Sequence, residues 1–358
     1  MQRTYLRRPD ELTADQVASW RRIQQSQPHL DSPYFTPDFT QAVGRVREDV
    51  EVAVLEDRGR PVGFFPFQRG NFNIARPVGG PLSDFQGLIV ENGMKWHPKA
   101  LLADCRLSAW KFDHLLAAQP GFAPYTWQVA ESPYLDLSNG FAHYEAERRR
   151  AQSCYFGQAL RKARKIQRDL GPLTFIPHTC DESVFETLLK WKSAQYRNSS
   201  ISDVLGYEWT VELLRNILAR QEADFAGMLS ALYVGDRLAA VHLSMRSNRV
   251  IHCWFPAYDV QLTKYSVGLI LLVELARAAE SLGVHRIDLG KGSEQYKRDF
   301  MSASTMVAEG SVERNSLAYS LRSGWHRTRQ FVKSSPMAAS ARRIARWLRP
   351  AHAWLELR

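Results

Sequence analysis

His242 is the side chain best suited to move a proton. It lies in the run 239–244, Ala-Ala-Val-His-Leu-Ser, where strand alternation turns it away from Val241 and Leu243. An imidazole titrating at about 6.5 is a ready general base at neutral pH, although a buried strand histidine can also be plain core. A second group begins at Asp288 and continues into the polar loop Gly290-Lys-Gly-Ser-Glu-Gln-Tyr-Lys297. Glu294 offers an acid or base, Tyr296 a donor and Lys297 a cation, and glycine-rich loops after strand ends are where α/β proteins hold ligands. A third group is Thr263-Lys-Tyr-Ser-Val-Gly-Leu269, at the head of an apolar helical run. Ser266 is the expected N-cap and Gly283 the C-terminal stop. The amides of Val267, Gly268 and Leu269 would then carry the positive end of the helix dipole. Gly268, without a Cβ, lets anionic oxygens reach the backbone. With Lys264 and Tyr265 beside them, these residues form an expected pyrophosphate cradle. Trp191, Gln195 and Tyr196 close another helical stretch with a mixed aromatic and polar face. Trp191 suits a core, whereas Gln195 and Tyr196 suit a substrate surface.

The elements that must position these groups come in duplicate. Residues 52–67 read as strand, charged turn, strand, and residues 229–244 read the same way. Aligning Arg60 with Arg237 gives an offset of 177 residues, about half of the 358-residue chain, and sets Phe65 opposite His242. Helical stretches precede each hairpin, at 13–25 and 36–46 and again at 181–196 and 209–221. In the second half a third strand (249–255), a long helix (266–281) and a last strand (286–290) follow. That order predicts a mixed sheet with helices on its faces. Residues 141–170 read as one long charged helix ended by Gly171-Pro172.

The length favours two domains, and 45% apolar with 23% charged residues excludes wholesale disorder. The run 267–273 is far short of the roughly 20 apolar residues of a membrane span, and the first ten residues carry no apolar signal core. The expected location is therefore cytoplasmic. Cys105, Cys154, Cys180 and Cys253 are widely spaced without a CxxC, so they read as reduced core thiols and no metal site is expected. The net charge of +10 is concentrated after residue 320, where nine cations meet one anion. Aromatic and aliphatic residues interleave with those arginines, a pattern for an amphipathic helix at an anionic membrane surface or a partner. A second basic cluster runs from 148 to 168. With no helix-turn-helix, zinc-finger or RNP pattern, the sequence argues against a nucleic-acid partner.

Four stretches, residues 80–87, 156–165, 257–269 and 288–300, resemble in order and spacing the GNAT-type acetyltransferases of the CelD/BcsL group, named for cellulose and exopolysaccharide biosynthesis and related to Fem-type aminoacyl transferases. The resemblance implies an α/β (α+β) fold of tandem GNAT-like lobes, each a mixed, mainly antiparallel sheet flanked by helices. It implies a first lobe at 1–140 without chemistry of its own, a basic connecting helix at 141–170, a second lobe at 171–312 holding acyl-CoA, and a basic tail at 313–358. Acetyl-CoA or another acyl-CoA would be co-substrate, held at 264–269. The acceptor would be a glycan, sugar nucleotide or amine, met by Trp191, Gln195, Tyr196, Asp259 and Asp288, with Arg161 and Arg164 attracting its anionic part. His242 would be the base, Glu294 its substitute, and Tyr296 and Lys297 would orient the acceptor or stabilise charge. The tail could reach the inner membrane face or a synthase complex. An aminoacyl-tRNA-dependent transferase and a non-catalytic GNAT-like scaffold are the alternatives.

Overall fold

The computed structural model describes residues 2–199 and 202–314, arranged in two compact units: 2–30, 34–130 and 306–314 in the first, 31–33 and 131–305 in the second. The basic tail proposed from the sequence lies, from residue 315 on, outside the described residues. The boundary falls at 130/131, and residues 306–314 return to the first unit.

The first unit runs β1 (Gln2–Arg7), α1 (Ala14–Gln25), α2 (Pro37–Val46), β2 (Val50–Asp57), β3 (Arg60–Arg69), β4 (Ile74–Arg76), β5 (Ile89–Val90), α3 (Pro98–Asp104) and β6 (Ala109–Leu116). Thr13 caps α1, with Gln16 closing a reciprocal capping box, and Thr36 caps α2 ahead of Pro37. The strand order is β1-β2-β3-β4-β6, joined by residues 307–313 of the last strand and with β5 added on β3. Phe65, Phe67, Trp110 and Phe122 fill its core.

The chain continues through β7 (Thr126–Asp136), α4 (Gly140–Arg150), α5 (Cys154–Leu170), β8 (Leu173–Ile176), α6 (Glu182–Asn198), α7 (Glu208–Leu218), β9 (Phe225–Val234), β10 (Arg237–Ser247), β11 (Val250–Tyr258), α8 (Val267–Ala278), β12 (Arg286–Asp288), α9 (Gln295–Phe300) and β13 (Ala303–Glu313). In the second unit the order is β7-β12-β11-β10-β9-β8. Each unit is a mixed, mainly antiparallel sheet flanked by helices, with one parallel pair: β4 with β6, and β11 with β12.

The two hairpins share more than a pattern. Each turns in two residues, Arg58-Gly59 and Gly235-Asp236. Arg58 and Gly59 both have positive φ, the geometry that matches strand twist. Each hairpin also carries one extra residue at the same place: Val62, between the pairs Glu56↔Pro61 and Leu55↔Gly63, and Ala239, between Tyr233↔Leu238 and Leu232↔Ala240. Every one of these positions is related by the 177-residue offset, so the duplication extends to the bulge.

The single helix expected over 141–170 is two helices. Residues 151–153 interrupt it, and Gln152 takes φ 53°. Polar, charge-rich periodicity gives no sign of such a break. All four cysteines are free thiols, but only Cys105 is fully buried, and Cys154 and Cys180 are exposed, which corrects the core reading of those two. No helix among the described residues is long and apolar enough to cross a membrane.

Candidate functional site

The start of α8 differs from expectation in its cap. Ser266 is left-handed (φ 53°, ψ 46°) and its side chain caps nothing; its hydroxyl accepts a 2.8 Å hydrogen bond from Lys162 Nζ of α5. The Ser266 carbonyl already takes the amides of Leu269 (2.9 Å) and Ile270 (3.2 Å). The cradle therefore narrows to the amides of Val267 and Gly268, which have no partner among the described residues. Gly268 is partly exposed and Val267 buried. A Cβ at Gly268 would meet only Tyr258 Cδ1, at 3.6 Å. The helix is fixed from behind, where Val267 and Ile270 pack with Ile166, Leu232 and Ala240.

Around this start, Tyr265 is buried and donates its hydroxyl to Asp169 at 2.8 Å, while Lys264 lies over the Tyr265 ring at 4.9 Å. Tyr265 thus serves the fold. Its hydrogen bond, with Lys165 at 3.1 Å, holds the Asp169 carboxyl below the usual range. Asp259 is occupied as well: it accepts from the Gln261 amide at 2.9 Å and pairs with Arg237, which ties the turn after β11 to the hairpin. Arg161 and Arg164 are exposed on α5 and form no ion pair with a described residue.

The second feature is an opening between strands. β11 and β12 pair in parallel for three residues, Val250↔Arg286, Ile251↔Ile287 and His252↔Asp288, and then part. On its other side β12 stays with β7, where the Leu289 amide bonds to Pro133. Cys253 and residues 255–258 of β11 keep their pairing with β10 but have none with β12. At the fork, Trp254 is an extra residue between the pairs Leu243↔Phe255 and Ser244↔Cys253. Bulges of this kind re-aim side chains beside functional sites.

Several titratable groups of the second unit gather at this fork. His242 is buried, its Nε2 has no hydrogen-bond partner, and burial, with Lys192 and His252 as further charges, pushes its pKa down to about 3. Ser244, two residues on along β10, has a buried hydroxyl without a partner. Asp288 is buried against Arg286, whose Nε and Nη2 lie 3.0 and 3.3 Å from its two oxygens, and His252 Nδ1 stands 4.0 Å away. Burial pushes the Cys253 thiol up, with Asp288 adding to the effect and Lys297 opposing it. Burial likewise raises the Tyr296 hydroxyl, helped by Cys253 and Glu294.

Lys297 is 7% exposed, and its ammonium reaches three oxygens: the Gly290 and Lys291 carbonyls, each at 3.2 Å, and Glu294 Oε2 at 3.4 Å. A Cβ at Gly292 would come within 2.7 Å of Lys297 Nζ and closer still to the Glu294 carboxylate, so these side-chain ends would have to shift. Glu294 itself is exposed. Among the described residues no three His, Cys, Asp or Glu are placed to hold a metal.

The fork thus collects His242, Asp288, Tyr296, Lys297 and Glu294 from the expected set. Gln195 has a buried amide nitrogen without a partner, whereas Trp191 and Tyr196 are half-buried on the same helix. Sequence reasoning missed Lys192. Its Nζ donates to the Pro256 carbonyl at 3.1 Å and lies 5.1 Å from the Tyr196 ring. Burial, and then Lys297, lower it to about 8. The missed signal was a lysine one turn before Tyr196 on the face already singled out. In the first unit, Ser83, Phe85, Gln86 and Gly87 from the stretch 80–87 line a small cavity with Tyr34 and Trp110.

Comparison with known proteins agrees with this architecture. Residues 156–298, within the second unit, match the family model described as an acetyltransferase (GNAT) domain. No curated protein matches the chain significantly. Similar solved structures include the C-terminal domain of a putative lysylphosphatidylglycerol synthetase from Agrobacterium fabrum, at 12% identity and a TM-score of 0.52, covering 86% of this chain and 94% of that one. A tandem GNAT protein from the clavulanic acid biosynthesis pathway matches at 10% identity and a TM-score of 0.50, over 88% and 99% of the two chains. FemX matches at 8% identity and a TM-score of 0.51, over 76% and 90%. At these identities the likeness is one of fold: tandem GNAT-like lobes.

Proposed function

We propose that the second unit transfers an acyl group, acetyl in the simplest case, from acyl-CoA to an amine or sugar hydroxyl, in polysaccharide or envelope glycan biosynthesis. The observation that carries this reading is the fork between β11 and β12 beside the start of α8. The unpaired edge of β11 at 253–258 offers peptide groups to an extended amide-containing chain. The Val267 and Gly268 amides, with Lys162 and Lys264 near them, suit a pyrophosphate. In the transfer, the acceptor's lone pair attacks the thioester carbonyl, the carbon–sulfur bond breaks and CoA leaves as the thiol. The acceptor's proton passes to a base, and developing negative charge on the carbonyl oxygen needs a donor. Lys297, held rigid by three oxygens, supplies a fixed cation for that charge, and Tyr296 a hydroxyl to orient the acceptor. His242 stays neutral and offers Nε2 to a bound group. Arg161 and Arg164, exposed on α5, attract an anionic acceptor, and Glu294, exposed at the loop, is the substitute base.

The test is calorimetric titration of the purified chain with acetyl-CoA. Micromolar binding that Gly268→Asp abolishes supports the reading. Absence of binding to acetyl-CoA and longer acyl-CoAs overturns it. In that case RNase-sensitive acceptor labelling from aminoacyl-tRNA would point to a Fem-like donor, and neither activity to a scaffold role.

A further inference from the structure

The fork contains a nitrogen that the acyl-transfer reading does not use. Lys192 projects from α6 to the carbonyl of Pro256, within the stretch of β11 that has lost its β12 neighbour. That carbonyl is its one hydrogen-bond acceptor among the described residues, and no carboxylate lies within ion-pair distance. An ammonium has three N–H groups to satisfy. Lys297, a few residues from the fork on α9, has three oxygens around it, two of them backbone carbonyls held in place by a tight loop. The two lysines are therefore built for opposite states. One is surrounded as a cation. The other has a single acceptor and gives up its proton more readily.

We propose that Lys192 is the proton acceptor of the transfer, taking the proton from the acceptor's attacking amine or hydroxyl while Lys297 stays charged. This rests on the acyl-transfer reading above and deepens it. The balance is simple: the acceptor's N–H or O–H gives its proton to Lys192 Nζ, the new carbon–nitrogen or carbon–oxygen bond forms, and the proton later leaves to the CoA thiolate or to water. His242 is less suited to that role, because an imidazole held neutral down to about pH 3 binds a proton too weakly. Lys192, lowered to about 8, lies near working pH.

The charged groups nearest Lys192 come from several elements. From β10 there is neutral His242, and from β11 the buried His252 and the half-buried Cys253. Asp288 of β12 is tied to Arg286. From α9 come Lys297, Glu294 at its N-terminus, and Tyr296. On the segment after α6, Asp203 is taken by Ser193 and Arg197, and Glu182 at the other end of the helix by Arg215. None of these presents an anion that would hold Lys192 as an ammonium.

Competitive labelling of the full chain with acetic anhydride between pH 6 and 11, read by peptide mass spectrometry, tests the amine without any acceptor. Lys192 should reach half-maximal reactivity near pH 8, against about 10.4 for exposed lysines. Titration together with the exposed lysines overturns the proposal. Turnover is then followed as CoA release from acetyl-CoA with D-glucosamine as probe acceptor. Lys192→Met and Lys192→Arg should each lower kcat by about 10²- to 10⁴-fold, leave KM for acetyl-CoA within about twofold, and remove the rise in rate around pH 8. Methylamine should restore part of the rate of Lys192→Ala. A Lys192→Met enzyme with wild-type kcat and pH profile overturns the proposal. A wild-type chain that binds no acetyl-CoA overturns the reading beneath it, a different failure visible before any variant is made.

Discussion

Gly268→Ala separates the ligand from the fold, because the two should respond with opposite sign. Gly268 is the second residue of α8, its φ is ordinary, and an added Cβ would meet only Tyr258 Cδ1 at 3.6 Å, a normal van der Waals distance. In a helix, alanine is more favourable than glycine by up to about 1 kcal/mol, so the ligand-free protein should become slightly more stable. For a unit of this size that is a rise of roughly 2–4 °C in Tm. If the Gly268 amide and its bare Cα hold a phosphate oxygen, the methyl group displaces it. Losing one hydrogen bond to a charged group costs about 1.5–3 kcal/mol, or roughly a 10- to 150-fold weaker Kd. Differential scanning fluorimetry with and without acetyl-CoA, followed by calorimetry, reads both quantities from one preparation. A higher Tm alone combined with a smaller ligand-induced shift is the expected result. Unchanged acetyl-CoA affinity would remove the phosphate from the start of α8. A lower Tm without ligand would show that Tyr258 does not leave the room inferred for the methyl group.

Two further predictions concern the fork. Because burial lowers the folded pKa of His242 from 6.5 to about 3, the unfolded chain binds the extra proton first as pH falls. Stability should therefore be lost between pH 6.5 and 3, by up to about 4 kcal/mol from this group. Urea midpoints across that range should fall more steeply for the wild type than for His242→Leu, and parallel curves would remove the effect. Gly292→Ala should push the Lys297 ammonium and the Glu294 carboxylate out of their present places. Acetyl-CoA binding should persist while kcat falls, because the fixed positive charge leaves its place; an unchanged kcat would show that Lys297 stabilises no developing charge.

What the sequence made legible was whatever is local or periodic. The hairpins, their charged turns and the helices capped by Thr13, Thr36 and Asp181 each follow from a few neighbouring residues. The 177-residue offset also relates two bulges, at Val62 and Ala239, which only the strand register reveals, since bulges have no composition signature. Ser266 failed as a cap for a physical reason. The preceding turn fixes it at positive φ, where its hydroxyl meets Lys162 from another helix, and a partner 104 residues away leaves no trace in local pattern. The third cradle amide, Leu269, was lost the same way, to a carbonyl made available by that unusual backbone.

The site itself illustrates a deeper limit. Lys192, Lys297 and His242 look unrelated in sequence, and residue type alone favours the histidine as base. Environment reverses that order. Removing an imidazole from water disfavours its charged form and takes it out of the useful range, whereas the same desolvation brings an amine down into it. Lys297 escapes because the loop 290–294, turned at Gly290 with φ 73°, folds two carbonyls and a carboxylate around its ammonium. Two lysines close enough to influence each other therefore divide the work, one as fixed charge and one as exchangeable proton site. The division is set by which of them the backbone encloses, and enclosure is decided by the course of the loop after β12 rather than by residue type.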